Sequence, residues 1–287
     1  MLLGYNTNGF AHHDPMAALG LLAEIGYRSV ALTLDHGLLN PYGDDPAGDV
    51  DRYRRLLARL GLRSVIETGA RFLLDARAKH EPTLVSAQAA DRARRIDFLC
   101  RSIDIAAALG SDCVSLWAGV LHDHTPPAAA WSRLIESLGP VLEHAERRGV
   151  VVGFEPEPGM VVDTLASFGR LKQRLPSDRL RLTLDLGHLH CQGELPISDW
   201  IAAFGSEIVN VHIEDMRAGV HEHLMFGEGE IDFPPVISAL TATGYTGGLH
   251  VELSRHSHAA VDAARQAFAF LEPLVEASRA RAGFGDG

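Results

Sequence analysis

The chain has 287 residues, of which 46% are hydrophobic and 22% charged, the proportions of an ordinary globular enzyme rather than a disordered chain. Lys plus Arg number 26 against 37 Asp plus Glu, and the net charge of −11 disfavours a nucleic-acid partner. No apolar run reaches the ~20 residues that span a bilayer, and the N-terminal MLLGYNTNGFAHHDP lacks the parts of a signal peptide, so no membrane role is expected. Cys100, Cys113 and Cys191 are odd in number and widely spaced, which makes no disulfide framework and fits a reducing, cytoplasmic setting.

In chain order, short β-branched apolar runs alternate with longer amphipathic stretches. Residues 2–6 form the first run, followed by a helix that Asp14-Pro15 opens and Gly26 closes. Residues 29–34 precede a helix over 50–60, and 63–67 precede a long helix over 87–109. Run 113–117 leads to helix 126–148, and run 150–155 leads to helix 164–175. Run 180–185 leads to helix 197–204, run 208–213 to helix 234–243, and run 248–253 to a last helix over 258–280.

Near-continuous apolar runs read as parallel strands buried on both faces, and the intervening helices supply the crossovers. Eight such units predict an α/β fold, a single (β/α)8 TIM barrel domain over 1–287 with the site at the C-terminal ends of the strands. The barrel itself takes about 1–275, and the tail from about Arg279 is expected to fray. A doubly wound open sheet is the alternative, but no G-x-G-x-x-G follows the first run. The longest loops, 35–49, 69–86 and 215–232, each follow a strand and so belong to the catalytic face.

The last four runs end alike. They deliver Phe154-Glu155-Pro156-Glu157, Asp185-Leu186-Gly187-His188, Val211-His212-Ile213-Glu214-Asp215 and Val251-Glu252. A single acid at a strand end is ordinarily a helix cap or a solvated loop residue. Four consecutive strands ending this way are poorly explained by independent caps. Barrel closure would gather the carboxylates of Glu155, Asp185 and Glu252 with the His212 imidazole, and their mutual repulsion calls for a divalent cation. Mixed O/N ligation suits Mn²⁺ first, with Mg²⁺, Co²⁺ and Zn²⁺ as alternatives. His188 lies just past Asp185, placed to bond a substrate hydroxyl or to orient a ligand.

The series F-E-P-E, L-D-L-G-H, N-V-H-I-E-D and H-V-E resembles the xylose isomerase-like TIM barrels. That group includes ketose 3-epimerases, hydroxypyruvate isomerase, inosose dehydratase, 3-dehydroshikimate dehydratase and, more remotely, endonuclease IV. The resemblance implies that Glu155, Asp185, His212 and Glu252 are the four metal ligands, that Glu155 and Glu252 also abstract and return the substrate proton, and that His188 contacts substrate. It places a substrate-binding arginine at Arg217. It makes His223 the substrate-contacting histidine of the loop before Gly227-Glu228-Gly229-Glu230-Ile231, with His221 as the alternative. It also implies that homo-oligomers are common. Glu157 and the segment holding Arg71, Lys79 and His80 match no family role; the latter three could form an anion-binding corner or a solvated loop.

Such a site would act on a small hydroxy-ketone, a sugar or cyclitol, through a metal-stabilised enediolate. Returning the proton to the other face epimerises, returning it to the neighbouring carbon isomerises, and losing a β-hydroxyl makes a lyase or dehydratase. Trp117 is placed either to stack on a sugar face or to pack in the core. His36 and Glu67 could line the pocket, and Asn6 and Asn8 could donate to hydroxyls. Arg255 and Ser257 offer a weak phosphate corner without a Gly-rich turn, so an unphosphorylated substrate is preferred. An endonuclease IV-like repair enzyme is disfavoured by charge, and a non-catalytic scaffold by the intact ligand set.

Overall fold

In the computed structural model, which describes residues 1–283, eight parallel strands close into a barrel in the order β1-β10-β7-β6-β5-β4-β3-β2. These are β1 (Leu2–Asn6), β2 (Ser29–Thr33), β3 (Arg63–Glu67), β4 (Val114–Leu116), β5 (Val152–Phe154), β6 (Leu180–Asp185), β7 (Ile208–Ile213) and β10 (Gly248–Val251). The remaining pair, β8 (Asp215–Arg217) and β9 (Val220–Leu224), forms a separate antiparallel hairpin. Every residue of β2, β4, β5 and β10 is buried, as strands covered on both faces must be.

Contacts divide the chain into two compact units. The first holds residues 1–31, 59–63 and those from 184 onward. Here α1 (Pro15–Ile25) starts where the Asp14 carboxylate accepts the Ala17 amide at 2.8 Å. The parallel registers Gly4↔Ser29, Gly4↔His250 and His250↔His212 align one level across β2, β1, β10 and β7. Around them pack α6 (Leu186–Gln192), α7 (Ile197–Phe204), α8 (Phe233–Ala242) and α9 (Ala260–Gly283). The second unit holds residues 32–58 and 64–183. It carries α2 (Pro46–Leu60, to residue 58), α3 (Ala89–Leu109), α4 (Pro127–Arg148) and α5 (Leu165–Arg174). Thr164 and Ser167 cap α5 reciprocally.

Three expectations are corrected. A short helix, α6, directly follows β6, where the sequence placed the next helix only at 197–204. Four of its seven residues, Gly187, His188, His190 and Cys191, have modest or poor helix propensity. The helix forms because the Asp185 carboxylate accepts the His188 amide at 2.8 Å and Leu186 to His190 are buried. The 215–232 loop is organised by β8 and β9, whose polar sequence carries no apolar alternation. The tail does not fray at Arg279: α9 continues to Gly283, and Arg279 donates to the Met1 carbonyl. The last four residues, 284–287, lie outside the described residues. All three cysteines are free.

Candidate metal centre

Strand pleating explains the gathering of side chains. Alternate residues of a strand share a face, so His212 brings Asn210 and Glu214 with it, and Glu252 brings His250. Beyond β10, the Glu252 amide still donates to the Ile213 carbonyl at 3.2 Å, which carries the register one residue further. His212 Nδ1 then lies 3.0 Å from Glu252 Oε2 and 3.9 Å from Asp185 Oδ2. Glu155 directly follows β5, where its amide donates to the Leu116 carbonyl at 2.8 Å. Asp185, His212 and Glu252 each offer one ligand atom, and these atoms lie within 4.8 Å of one another.

All of these groups are buried or nearly so, and the charges answer one another. Burial pushes the Glu252 carboxyl up, but the His212 imidazole, which also bonds it, holds it far below the usual carboxylate range. Burial likewise raises Asp185, and the imidazoles of His188, His223 and His212 outweigh it, leaving the group below its ordinary value. Asp185 Oδ2 is buried without a hydrogen-bond donor. A buried carboxylate oxygen left open among other ligand atoms is the arrangement a divalent cation fits.

One group that the sequence reading passed over stands behind these residues. Glu214 is fully buried, and neither of its carboxyl oxygens has a hydrogen-bond partner. Burial, with the charges of Asp185 and Glu252 beside it, raises its carboxyl well above the usual range. The signal was present in the alternation His212-x-Glu214, which runs one residue past the end of β7 and was hidden by the more obvious Asp215.

Asp215 turns out to build the hairpin. Its carboxylate accepts the amides of Met216 at 2.9 Å, Gly227 at 2.9 Å, Gly229 at 3.0 Å and Ile231 at 3.1 Å. A Cβ on Gly229 would collide with that carboxylate. The hairpin so fastened presents both candidate histidines. His221 Nε2 is 3.0 Å from His188 Nε2, while His223 Nδ1 lies 3.0 Å from the Glu252 carbonyl. His188, His221 and His223 form a second group with ligand atoms within 4.8 Å of one another. Burial pulls the His188 imidazole down to about 4, only partly offset by Asp185, and it is neutral near pH 7.

Other expected residues fare differently. Asn8 Nδ2 donates to Glu252 Oε1 at 2.7 Å and so belongs to the cluster, whereas Asn6 caps the turn after β1 by accepting the Asn8 amide at 3.1 Å. Glu157 is half-buried after β5, and its amide donates to the Val162 carbonyl at 3.1 Å. Arg217 is not brought in. It is exposed, and Nη2 donates to the Glu228 carbonyl at 3.0 Å across the hairpin loop. His36 is also exposed, its amide tied to Asp35 at 2.8 Å. Glu67 is buried at the end of β3, where its carbonyl accepts the Leu34 amide at 3.1 Å.

Trp117 is buried, with Arg95 over its ring at 4.5 Å and His80 edge-on at 5.7 Å, so packing on a buried guanidinium occupies the indole. His80 Nδ1 donates to the Gly69 carbonyl at 2.6 Å, and Arg71 pairs with Asp35 at 3.6 Å. Arg255 is spent on Glu222 at 2.6 Å, and the Ser257 hydroxyl donates to the Asn8 carbonyl at 3.1 Å. No helix among the described residues is long and apolar enough to cross a membrane.

Comparison with known proteins agrees with this architecture. The L-ribulose-5-phosphate 3-epimerase UlaE of Escherichia coli (strain SMS-3-5 / SECEC) is 26% identical over 267 residues, covering 92% of this chain and 90% of that protein. An inosose dehydratase of Lacticaseibacillus casei is 29% identical over 139 residues, covering 42% of this chain and 46% of its own. A solved L-ribulose 3-epimerase superposes with a TM-score of 0.79 at 24% identity, covering 100% of this chain and 98% of the other, a likeness of fold. Residues 19–274 match the family described as xylose isomerase-like TIM barrel, and with the closed eight-stranded barrel this establishes that the chain belongs to that family.

Proposed function

We propose that this chain is a divalent-metal-dependent isomerase or epimerase acting on a small hydroxy-ketone sugar or cyclitol. The observation that carries the reading is the convergence of Asp185, His212 and Glu252 within 4.8 Å, with one buried Asp185 oxygen left without a donor, and the family resemblance adds Glu155 as the fourth ligand. A cation held by those four would polarise the substrate carbonyl and favour loss of the adjacent C–H proton. Mn²⁺ is the first choice for this oxygen-rich set with one imidazole.

The chain's own groups would do the rest. Glu155 and Glu252 stand as the proton-transfer pair, one removing the proton to give an enediolate and the other returning it. Glu252 is held low by His212 and is therefore a weak base, which leaves Glu155 as the better candidate for abstraction. Neutral His188 and the hairpin's His223 are placed to hold substrate hydroxyls. Neither Arg217, which donates to the Glu228 carbonyl, nor the exposed His36 has that role in this reading. UlaE, similar over most of its length, supports an epimerase.

The inosose dehydratase supports a second reading, in which the enediolate expels a β-hydroxyl and the enzyme is a lyase. Incubating Mn²⁺-loaded protein with ketoses and inososes in D₂O separates the two. Deuterium gained at the carbon next to the carbonyl, with the mass otherwise unchanged, marks proton return. A loss of water marks the lyase. Absence of exchange and of dehydration across the panel contradicts both readings.

A further inference from the structure

Below the metal centre the barrel carries an unbroken polar chain. His212 Nε2 accepts from Asn210 Nδ2 at 3.2 Å. Asn210 Oδ1 accepts from His250 Nδ1 at 2.8 Å, and His250 Nε2 accepts from the Ser29 hydroxyl at 2.8 Å. Ser29, Asn210 and His250 are fully buried. Room for the His250 ring is built in, because a Cβ on Gly4 or Gly248, its neighbours on β1 and β10, would collide with the imidazole. Burial pulls His250 down to about 3, so the ring is neutral and carries one proton on one nitrogen.

The bonds all run one way. Ser29 donates to His250, His250 to Asn210, Asn210 to His212, and His212 Nδ1–H to Glu252 Oε2 at 3.0 Å. That direction places a proton on the very nitrogen that faces Asp185 and Glu252. Only the other tautomer offers a lone pair there. An amide is the side chain that serves both tautomers, because turning it exchanges its donor for its acceptor.

We propose that Asn210, His250 and Ser29 form a reversible tautomer relay that sets the cation affinity of His212. On loading, the Asn210 amide turns over. His212 keeps one proton, moved from Nδ1 to Nε2, where it is donated to Asn210 Oδ1. Asn210 Nδ2 then donates to His250 Nδ1, and His250 carries its single proton on Nε2 toward Ser29. Proton number on each ring is unchanged, and Nδ1 of His212 is freed. Asn210 is thus a positioning residue that touches neither cation nor substrate. This inference rests on the cation reading above.

The test uses the full chain with ¹⁵N-labelled histidine, stripped of metal and then titrated with Zn²⁺, a diamagnetic probe. The relay predicts that both His212 and His250 carry their proton on Nδ1 in the stripped protein and on Nε2 in the loaded one. Asn210→Leu, which can serve neither tautomer, is expected to weaken Zn²⁺ about 10- to 100-fold. Asn210→Asp, an acceptor that favours Nε2–H, is expected to stay within about threefold of wild type. A merely structural role would penalise both variants alike. Where either variant does not fold, His250→Leu and His250→Gln repeat the contrast, since only glutamine keeps a donor and an acceptor.

Unchanged tautomers on loading, or an Asn210→Leu protein that binds Zn²⁺ as wild type does, overturns the relay alone. Wild-type protein without saturable Zn²⁺ binding overturns the metal centre and the relay together.

Discussion

Two groups of ionisable residues at strand ends look alike in the sequence and differ in the folded chain. In the first, around β6, β7 and β10, side chains bond one another: His212 meets Glu252 at 3.0 Å, Asn8 meets Glu252 at 2.7 Å, and an Asp185 oxygen stays open. In the second, after β3, His80 and Arg95 bond the backbone. His80 bonds the Gly69 carbonyl at 2.6 Å, and the fully buried Arg95 donates to the Thr68 carbonyl at 2.6 Å while its charge lies over Trp117. The first arrangement gathers unspent ligand atoms toward a guest. The second uses polar groups to hold a loop in place. Clustering alone does not separate a site from a scaffold; what the polar atoms face does.

Substitutions in the two groups should separate accordingly. The largest effect is expected for Asp185→Asn, which removes one ligand charge and should abolish saturable Mn²⁺ binding and lower turnover by at least ~10³-fold. Calorimetric titration and the D₂O exchange assay check it, and retained affinity would erase the contrast. Arg95→Ala should do the reverse. It leaves the Thr68 carbonyl without its donor and a void beside Trp117, at a cost of about 3 kcal/mol in urea unfolding, with Mn²⁺ affinity within about twofold of wild type.

A smaller effect is expected where the two behaviours meet, below the metal centre. Gly248→Ala drives a methyl into the His250 ring and should cost about 2 kcal/mol. Equilibrium denaturation measures it; a neutral outcome would mean that the ring is free to move aside. The smallest effect is on pH. His250 is held neutral down to about 3 in the fold, whereas an unfolded imidazole takes a proton near 6.5. Its contribution is therefore complete above about pH 6.5 and is lost as pH falls toward 3, by at most about 1.4 kcal/mol per pH unit. Unfolding free energies between pH 7 and about 4 should fall less steeply in His250→Gln, and an unchanged slope would contradict the assignment.

The barrel was legible because most parallel strands are buried on both faces and read as apolar runs, as β2 does. The four proposed ligands were legible for a related reason, since an acid ending such a run stands out against it. What stayed hidden depends on contacts distant in sequence. Asn8 reaches Glu252 across 244 positions, and α6 owes its existence to one cap and to burial rather than to its residues. The hairpin in which Arg217 donates to the Glu228 carbonyl was equally illegible, because a position carried over from a resemblance does not reveal its local contacts. Asn210, His250 and Ser29 read as ordinary strand residues until the registers Gly4↔Ser29, Gly4↔His250 and His250↔His212 align them.

Titration of chelator-stripped protein with Mn²⁺, wild type beside Glu252→Gln, tests the central assignment most directly. One equivalent bound per chain in the wild type and none in the variant is the expected result. A wild-type chain that takes up no ion, or a variant that binds with unchanged affinity, would contradict it.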